Sequence, residues 1–481
     1  MSSINIKSVL KIIGLILIIS AASFLLCVPV ALIYSEPVAP FLLSFITAAV
    51  PGSLMYFLIH SRLHEKVTTR EGYLSVTLGW FALGLSGSLP FLYSGEIKGF
   101  VNIIFESVSG YTTTGASTLT DVEILSKSIL FWRSMTHWIG GIGIILLVII
   151  VLPSLKVGGY TLFSLESSLK QKILPRTKSI AQAILVIYTV ITAAEITMLT
   201  AGGMDLFDSI CHTFGTVATG GFSTKNSSIS GYSNYIQYVI AFFMFLSAAS
   251  YVVLYFILKR NFTRVRNNEE LWFYIFFTTA AVVSVTLILY INTARSFEES
   301  FRHALFQVIS TISTTGYATT DYTLWPPIAL VLIFLLIFAG GSTGSTTGGI
   351  KMARHLIALK NLRNVTVRLQ HPNAIMPVKL NGQVIPENLN TLMTVFIPLY
   401  IIIFIAGMLI IMISGIPADE AAGASATSIS CVGPGLGASG NMGNFAHFNS
   451  TAKITMVLLM IIGRLEIFTI VALFTRAFWK K

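Results

Sequence analysis

Charge is scarce in this chain: Asp, Glu, Lys and Arg make up 11% of 481 residues against 54% hydrophobic ones, and the mean hydropathy is +0.79. A soluble globular domain carries about 25% charged residues, so this composition belongs in a bilayer. Cysteine is scarcer still. Cys27, Cys211 and Cys431 are too few and too apolar in context for a disulfide framework or a zinc site. The sequence also lacks an H-E-x-x-H helix, an aspartate cluster and a serine with a convincing base, which leaves a polytopic enzyme such as a lipid-linked transferase or an intramembrane protease without its chemistry. No G-x-G-x-x-G opens a soluble βαβ unit, so nucleotide control, if it exists, belongs to another polypeptide. The chain reads as a non-enzyme with no covalent cofactor.

Long charge-free runs are present instead, at Ile12 to Ser35, Pro37 to Ser61, Gly72 to Gly95, Ser134 to Leu155, Tyr235 to Leu258, Leu271 to Ala294 and Asn388 to Ala418. Each is near or above the ~20 residues of a spanning helix. The first run exceeds a signal-peptide core and no small-residue cleavage site follows it, so it reads as a retained helix. The net charge of +11 suits nucleic acid until its placement is examined. The N-terminus, Arg62 to Glu71, Ser154 to Lys178, Lys259 to Glu270, Lys351 to Glu387 and the C-terminus together hold 23 of the 31 Lys and Arg. These are alternate loops. The bias predicts both termini in the cytoplasm, an even number of crossings and solvated loop cations that set topology. The basic loop "KNLRNVTVRLQHPNAIMPVKLNGQVIPEN" is too polar to span and predicts a surface for lipid headgroups or a partner.

After a two-helix prefix, one unit recurs four times: a spanning helix, a short amphipathic stretch, a hydroxyl-and-glycine segment, and a second spanning helix. The short stretches are Asn102 to Tyr111, Leu206 to Val217, Phe301 to Ser313 and Asp419 to Ser430, none long enough to cross. The polar segments align on Gly115, Gly220, Gly316 and Gly435, at spacings of 105, 96 and 119 residues. The units are expected at 1–61 for the prefix, then 62–155, 156–260, 261–368 and 369–481, with pore loops at 102–118, 206–223, 301–320 and 419–440. Like-oriented repeats imply an axis along the membrane normal. By the charge pattern all four segments open outward, so each short stretch enters, stops part-way and returns as extended backbone. Such backbone survives in a membrane only where protein or water surrounds it.

A ring of carbonyls can replace the hydration shell of an ion without a net charge that would trap it. Glycine aims successive carbonyls at an axis, threonine adds a hydroxyl, and the partly negative C-terminal ends of the short helices favour cations. The candidate filter is Thr113, Thr114 and Gly115; Ala218, Thr219 and Gly220; Thr314, Thr315 and Gly316; Gly433, Pro434 and Gly435. Pro434 stands where the others have Thr114, Thr219 and Thr315, which predicts a filter less symmetric and less selective than one built from four identical loops.

These segments, with their lead-ins "FESVSGYTTTG", "DSICHTFGTVATG", "RHALFQVISTISTTG" and "AAGASATSISCVGPG", resemble the membrane subunits of Trk-type potassium transporters in the Trk, Ktr and HKT superfamily. The resemblance covers essentially the whole chain, and the two-helix prefix is similar to the Trk branch. It implies an all-α polytopic membrane protein with four helix, pore-loop, helix repeats around a central cation pore. It also implies potassium, or rubidium, bound at the filter, because a glycine at the position of Gly115 goes with potassium and a serine with sodium; a sodium-conducting relative is the alternative. A cytoplasmic nucleotide-binding regulatory ring as partner and a homodimer in which each subunit keeps its own pore are implied as well, and the orientation read from loop charge suggests a bacterial or archaeal inner membrane.

"FAGGSTGSTTGGIK", Phe338 to Lys351, does not meet the phosphate-loop pattern, since Met352 follows the lysine. Gly340, Gly341, Gly344, Gly348 and Gly349 instead break the second helix of the third unit at mid-membrane, which requires a cavity beside it. The resemblance implies that this loop is the gate beneath the filter. Arg464, a charge within the last span, marks a function. By resemblance it is a barrier to cations; a structural pair with Glu106 or Glu195 is the alternative, and Glu466 points to another face. Arg133, His137 and Trp138 read as an interfacial belt, Asp121 and Asp321 as carboxylates at the pore mouth, and His212 and His303 as satisfied packing residues.

Overall fold

The computed structural model describes residues 4–59, 68–146 and 173–479. The unit boundaries expected at 61 and 155, most of the basic loops Arg62 to Glu71 and Ser154 to Lys178, and the end of the Ser134 to Leu155 run lie outside them.

The protein is an all-α membrane protein: among the described residues six helices are long and apolar enough to cross a bilayer, and the one sheet is a two-stranded hairpin. Helices α1 (Ile6–Phe24) and α2 (Ala39–Ser53) form the prefix. They cross where Gly14 meets Gly52; a Cβ on Gly14 would lie 2.8 Å from the Gly52 carbonyl oxygen. Close backbone approach supplies dispersion where lipid removes the hydrophobic drive. Helix α3 (Thr69–Gly87) starts at a capping box between Thr68 and Glu71. The second oxygen of Glu71 accepts the Asn5 N–H at 2.9 Å and so fastens the prefix to the first unit.

Short helices follow the long ones as expected. They are α4 (Phe100–Tyr111) before α5 (Lys127–Leu146), and α7 (Leu206–Val217) after α6 (Ile173–Ala201). The run Tyr235 to Leu258, read as one span, is two helices, α8 (Asn234–Ser247) and α9 (Tyr251–Leu258), meeting at 98°. The third unit has α10 (Glu269–Asn292), the short α11 (Phe297–Ile312), then α12 (Pro327–Ile337) and α13 (Met352–Gln370) on either side of the glycine-rich loop. The boundary drawn at 368 therefore falls inside α13, which carries the basic loop onward to the hairpin β1 (Lys379–Leu380) and β2 (Gln383–Val384). The fourth unit has α14 (Glu387–Ile413), the short α15 (Ala418–Ser430), α16 (Ser450–Arg464) and α17 (Phe468–Leu473). Its last span is also broken, at Glu466 and Ile467, whose φ of 57° and 44° are left-handed. That conformation is a genuine outlier for a β-branched residue. The short helices are buried on nearly all sides despite their Ser and Thr content.

Candidate ion pathway

All four short helices end alike. Thr113, Thr219, Thr314 and Cys431 take left-handed φ of 51°, 57°, 54° and 54°. Each sends its N–H back to Gly110, Thr216, Thr311 or Ser428, and the next residue returns to Ser109, Gly215, Ser310 or Thr427, all at 2.7–3.3 Å. This is the Schellman ending, built without glycine at the left-handed position at a cost of roughly 1–2 kcal/mol each. Strain of this kind collects at functional sites.

Two residues on, a glycine has positive φ in every segment: Gly115 at 79°, Gly221 at 78°, Gly316 at 83° and Gly433 at 104°. The register built on Gly220 and Gly435 is therefore corrected by one residue in the second segment and two in the fourth. "TGG" and "GPG" each offer two glycines, and only the backbone chooses between them. Pro434 accordingly does not hold the threonine position: Val432 stands beside Thr114, Gly220 and Thr315. Gly435 lies past the turn, where its carbonyl accepts from the Tyr322 hydroxyl and its N–H donates to the Ser439 carbonyl at 2.8 Å.

The corrected glycines close a ring. A Cβ on Gly115 would come within 3.0 Å of the carbonyl oxygen of Gly220, on Gly221 of Thr315, on Gly316 of Val432, and on Gly433 of Thr114. Each quarter thus packs its glycine on the carbonyl of the next, and the fourth returns to the first. A cavity of about 140 Å³ on the face away from the glycine-rich loop is lined by all four of these glycines, and by neither Gly220 nor Gly435. The first and third quarters match in detail: Thr112 and Thr114 share a hydroxyl hydrogen bond at 2.8 Å, as do Ser313 and Thr315, while Ser109 and Ser310 each donate to a carbonyl beyond the glycine at 2.6 Å. Ala218 and Gly220 have no hydroxyl to share, and Ser430 bonds Tyr400 instead. Among the described residues no group of three His, Cys, Asp or Glu side chains is placed to hold a metal ion, so the ring offers backbone and hydroxyl oxygens only.

Two residues read as an interfacial belt are buried braces. Arg133 is 3% exposed and pairs with Glu106 at 3.1 Å, donates to the Ser223 carbonyl at 3.1 Å and lies 3.5 Å from the Phe222 ring centroid. Glu106 takes the Thr118 N–H at 2.6 Å and the Ser117 hydroxyl at 2.8 Å. His137 joins the Gly110 carbonyl at 2.7 Å to the Phe222 N–H at 3.1 Å. A charged residue in an apolar helix, together with the carboxylate of "FESVSG", is the sequence signal for this pair. Trp138 is half-buried and donates to Thr192. His212 is satisfied at both ring nitrogens, by the Asp208 carbonyl and the Ser223 hydroxyl, and His303 meets the Thr319 hydroxyl at 3.0 Å. Asp121 and Asp321 do not line the outer cavity. The Asn226 amide, at 2.7 Å, holds the Asp121 carboxyl below its usual range, and Asp321 caps the turn at Thr323.

Phe338 to Lys351 forms a folded loop directly under the ring. Its ends are zipped by Gly340 N–H to the Ile350 carbonyl and Ile350 N–H to the Phe338 carbonyl, at 2.9 and 3.0 Å. Gly344 and Gly349 have positive φ, and a Cβ on Gly348 would strike the Ser430 carbonyl of the fourth short helix. Hydroxyls of the ring segments reach down to it: Thr314 accepts the Gly348 N–H at 2.8 Å, and Thr219 meets the Thr346 hydroxyl at 3.1 Å. The break in the second unit serves the same loop, since Ala248 accepts from Ser342 N–H and Tyr251 N–H donates to Gly344. Glu270, from the start of α10, takes the N–H groups of Thr343 and Ala353. Thr314→Val should leave the Gly348 N–H buried without an acceptor. The expected cost is about 1–3 kcal/mol, seen as a lowered midpoint of thermal unfolding in detergent; an unchanged midpoint counts against the link between filter and loop.

Arg464 ends α16 beneath the ring, 2% exposed, with Nη1 on the Thr346 carbonyl at 2.7 Å. It pairs with neither Glu106, which Arg133 holds, nor Glu195, whose oxygens have no hydrogen-bond partner. Glu466, across the break, pairs with Arg354 at 2.5 Å. A cavity of about 20 Å³, room for about one water, is all that opens between the loop, Arg464, Lys351 and Glu466. Lys351 and Arg354, counted among the solvated loop cations, are buried here at 8% and 4% exposure, because the helix break draws them under the loop.

A family model described as cation transport protein, TrkH, matches residues 39–481. This chain belongs to the TrkH family. It is similar over 99% of its length to the Trk system potassium uptake protein TrkH of Salmonella typhimurium, at 36% identity over 99% of that protein, and to TrkH of Halomonas elongata, at 33% over all of that protein. The crystal structure of the potassium transporter TrkH from Vibrio parahaemolyticus superposes with a TM-score of 0.91 at 32% identity, covering 99% of this chain and 100% of that one. As a TrkH-family protein it is a multi-pass membrane transport protein and not an enzyme.

Proposed function

We propose that this protein takes up potassium across the cytoplasmic membrane through the ring formed by Thr113 to Gly115, Thr219 to Gly221, Thr314 to Gly316 and Cys431 to Gly433. The observation that carries the reading is the closed cycle of glycine-on-carbonyl contacts beneath an open outer cavity. Four helix C-termini with their partial negative charge meet at that cycle, and carbonyls bind a cation there without trapping it. The relatives' naming as potassium uptake proteins supports potassium over sodium. The loop Gly340 to Gly349 is the gate and Arg464 its electrostatic barrier. A separate cytoplasmic nucleotide-binding ring moves the gate, and the protein works as a homodimer with both termini inside. Four units after the two-helix prefix supply the four quarters.

Rubidium flux into proteoliposomes, with sodium and lithium as competitors, tests this, using a variant with Gly340 to Gly349 shortened so that the path is open. Selective flux is expected, and Gly115→Ser should relax it toward sodium by on the order of tenfold, or ~1.4 kcal/mol. Flux indifferent to the competitors, or to the serine, overturns the filter assignment.

A further inference from the structure

Two successive carbonyls of the loop are already occupied. Arg464 holds Thr346, and Lys351 Nζ donates to the Thr347 carbonyl and, at 2.8 Å, to the Thr347 hydroxyl. We propose that the carbonyl and hydroxyl of Thr347 form a monovalent-cation site on the inner path, which the Lys351 ammonium fills as a tethered competitor while the loop is closed. This rests on reading the loop as the gate.

An ammonium carries the same single charge as potassium and accepts the same neutral oxygen ligands. Buried lysines ordinarily pair with a carboxylate. Lys351 forms no ion pair within 4.0 Å among the described residues, although Glu466, Glu270, Arg464 and Arg354 all face it. Glu466 is engaged by Arg354, and one oxygen of Glu270 is engaged by the N–H groups of Thr343 and Ala353. The ammonium is thus held as a filter holds an ion, by a carbonyl and a hydroxyl, inside the small cavity that it shares with Arg464.

Lys351 is also the residue immediately before α13, whose later turns leave the buried core. Displacement of α13 would carry the ammonium away from Thr347 and so empty the site. Arg464 lies on α16 rather than beside α13.

The test compares rubidium flux through full-length Lys351→Met, Lys351→Gln, Lys351→Arg and Arg464→Ala, each shown by size-exclusion and thermal melting to be folded. Lys351→Met and Lys351→Gln are expected to raise basal flux on the order of tenfold, with Lys351→Arg at the wild-type level. Lys351→Cys treated with a cationic methanethiosulfonate should fall back to wild-type flux, and the neutral reagent should not restore the block. Folded Met and Gln variants without increased flux, while Arg464→Ala conducts, overturn the site and leave the gate reading standing. If none of the four conducts more than wild type, the site and the gate reading fall together. Release by Lys351→Arg equal to Lys351→Met also overturns the proposal, since charge would then be irrelevant.

Discussion

Gly433→Ala should abolish measurable rubidium flux, with a loss on the order of a hundredfold or more, whereas Gly435→Ala should keep most of it. At Gly433 φ is 104°, and an added Cβ comes within 3.0 Å of the Thr114 carbonyl, which is backbone of the first quarter and cannot swing aside. The methyl both strains the turn and displaces a carbonyl of the ring; forcing a non-glycine residue into such a φ costs roughly 1–3 kcal/mol before any clash. At Gly435 φ is not left-handed, and the nearest atom is the Ser439 hydroxyl oxygen at 2.7 Å, the end of a short side chain that can rotate. The same experiment in the second segment is less informative, because a Cβ on Gly220 meets the His137 ring as well. Equal loss in both variants, or a greater loss from Gly435→Ala, restores the register read from sequence and removes the ring of glycine-on-carbonyl contacts as the working element.

Much of the architecture was legible because long-range order is written in short-range signals. The short helix Leu206–Val217 is where the hydroxyl pattern put it, Ala418–Ser430 starts within a residue of its expected place, and the loop from Phe338 to Lys351 lies between helix ends at Ile337 and Met352. The breaks at Ala248 and at Glu466 were not legible, since an apolar run has the same composition whether it is straight or bent; at Ala248 the freed carbonyl is taken by the Ser342 N–H of a loop far along the chain. The filter register failed for a related reason. Two nearby glycines satisfy the same composition, and the choice depends on which of them lies two residues past the left-handed helix end. Charge counting assigned Lys351 and Arg354 to solvent although both are buried, because proximity in sequence to a basic loop says nothing about the side of a helix break on which a residue lies.

Glu106→Gln should cost about 3–5 kcal/mol, the penalty for leaving one member of a buried ion pair uncompensated. Arg133 is the member left behind, at 3% exposure, and it borders the outer cavity as well as touching Phe222 and the Ser223 carbonyl of the second filter loop. The substitution therefore acts twice. It lowers the unfolding midpoint, and it sets an unbalanced positive charge beside the route by which cations approach the ring, so flux should fall even at temperatures where the protein is folded. Arg133→Met in the same background removes that charge while keeping an unbranched apolar stem. Replacing a buried pair by apolar groups is often close to neutral, so the double variant should be more stable than Glu106→Gln alone and should recover part of the flux, with a coupling energy of about 0.5–3 kcal/mol between the sites. Simple addition of the two single effects, in melting and in flux, would mean that the pair is independent of the filter and that the contact with the second loop only fills space.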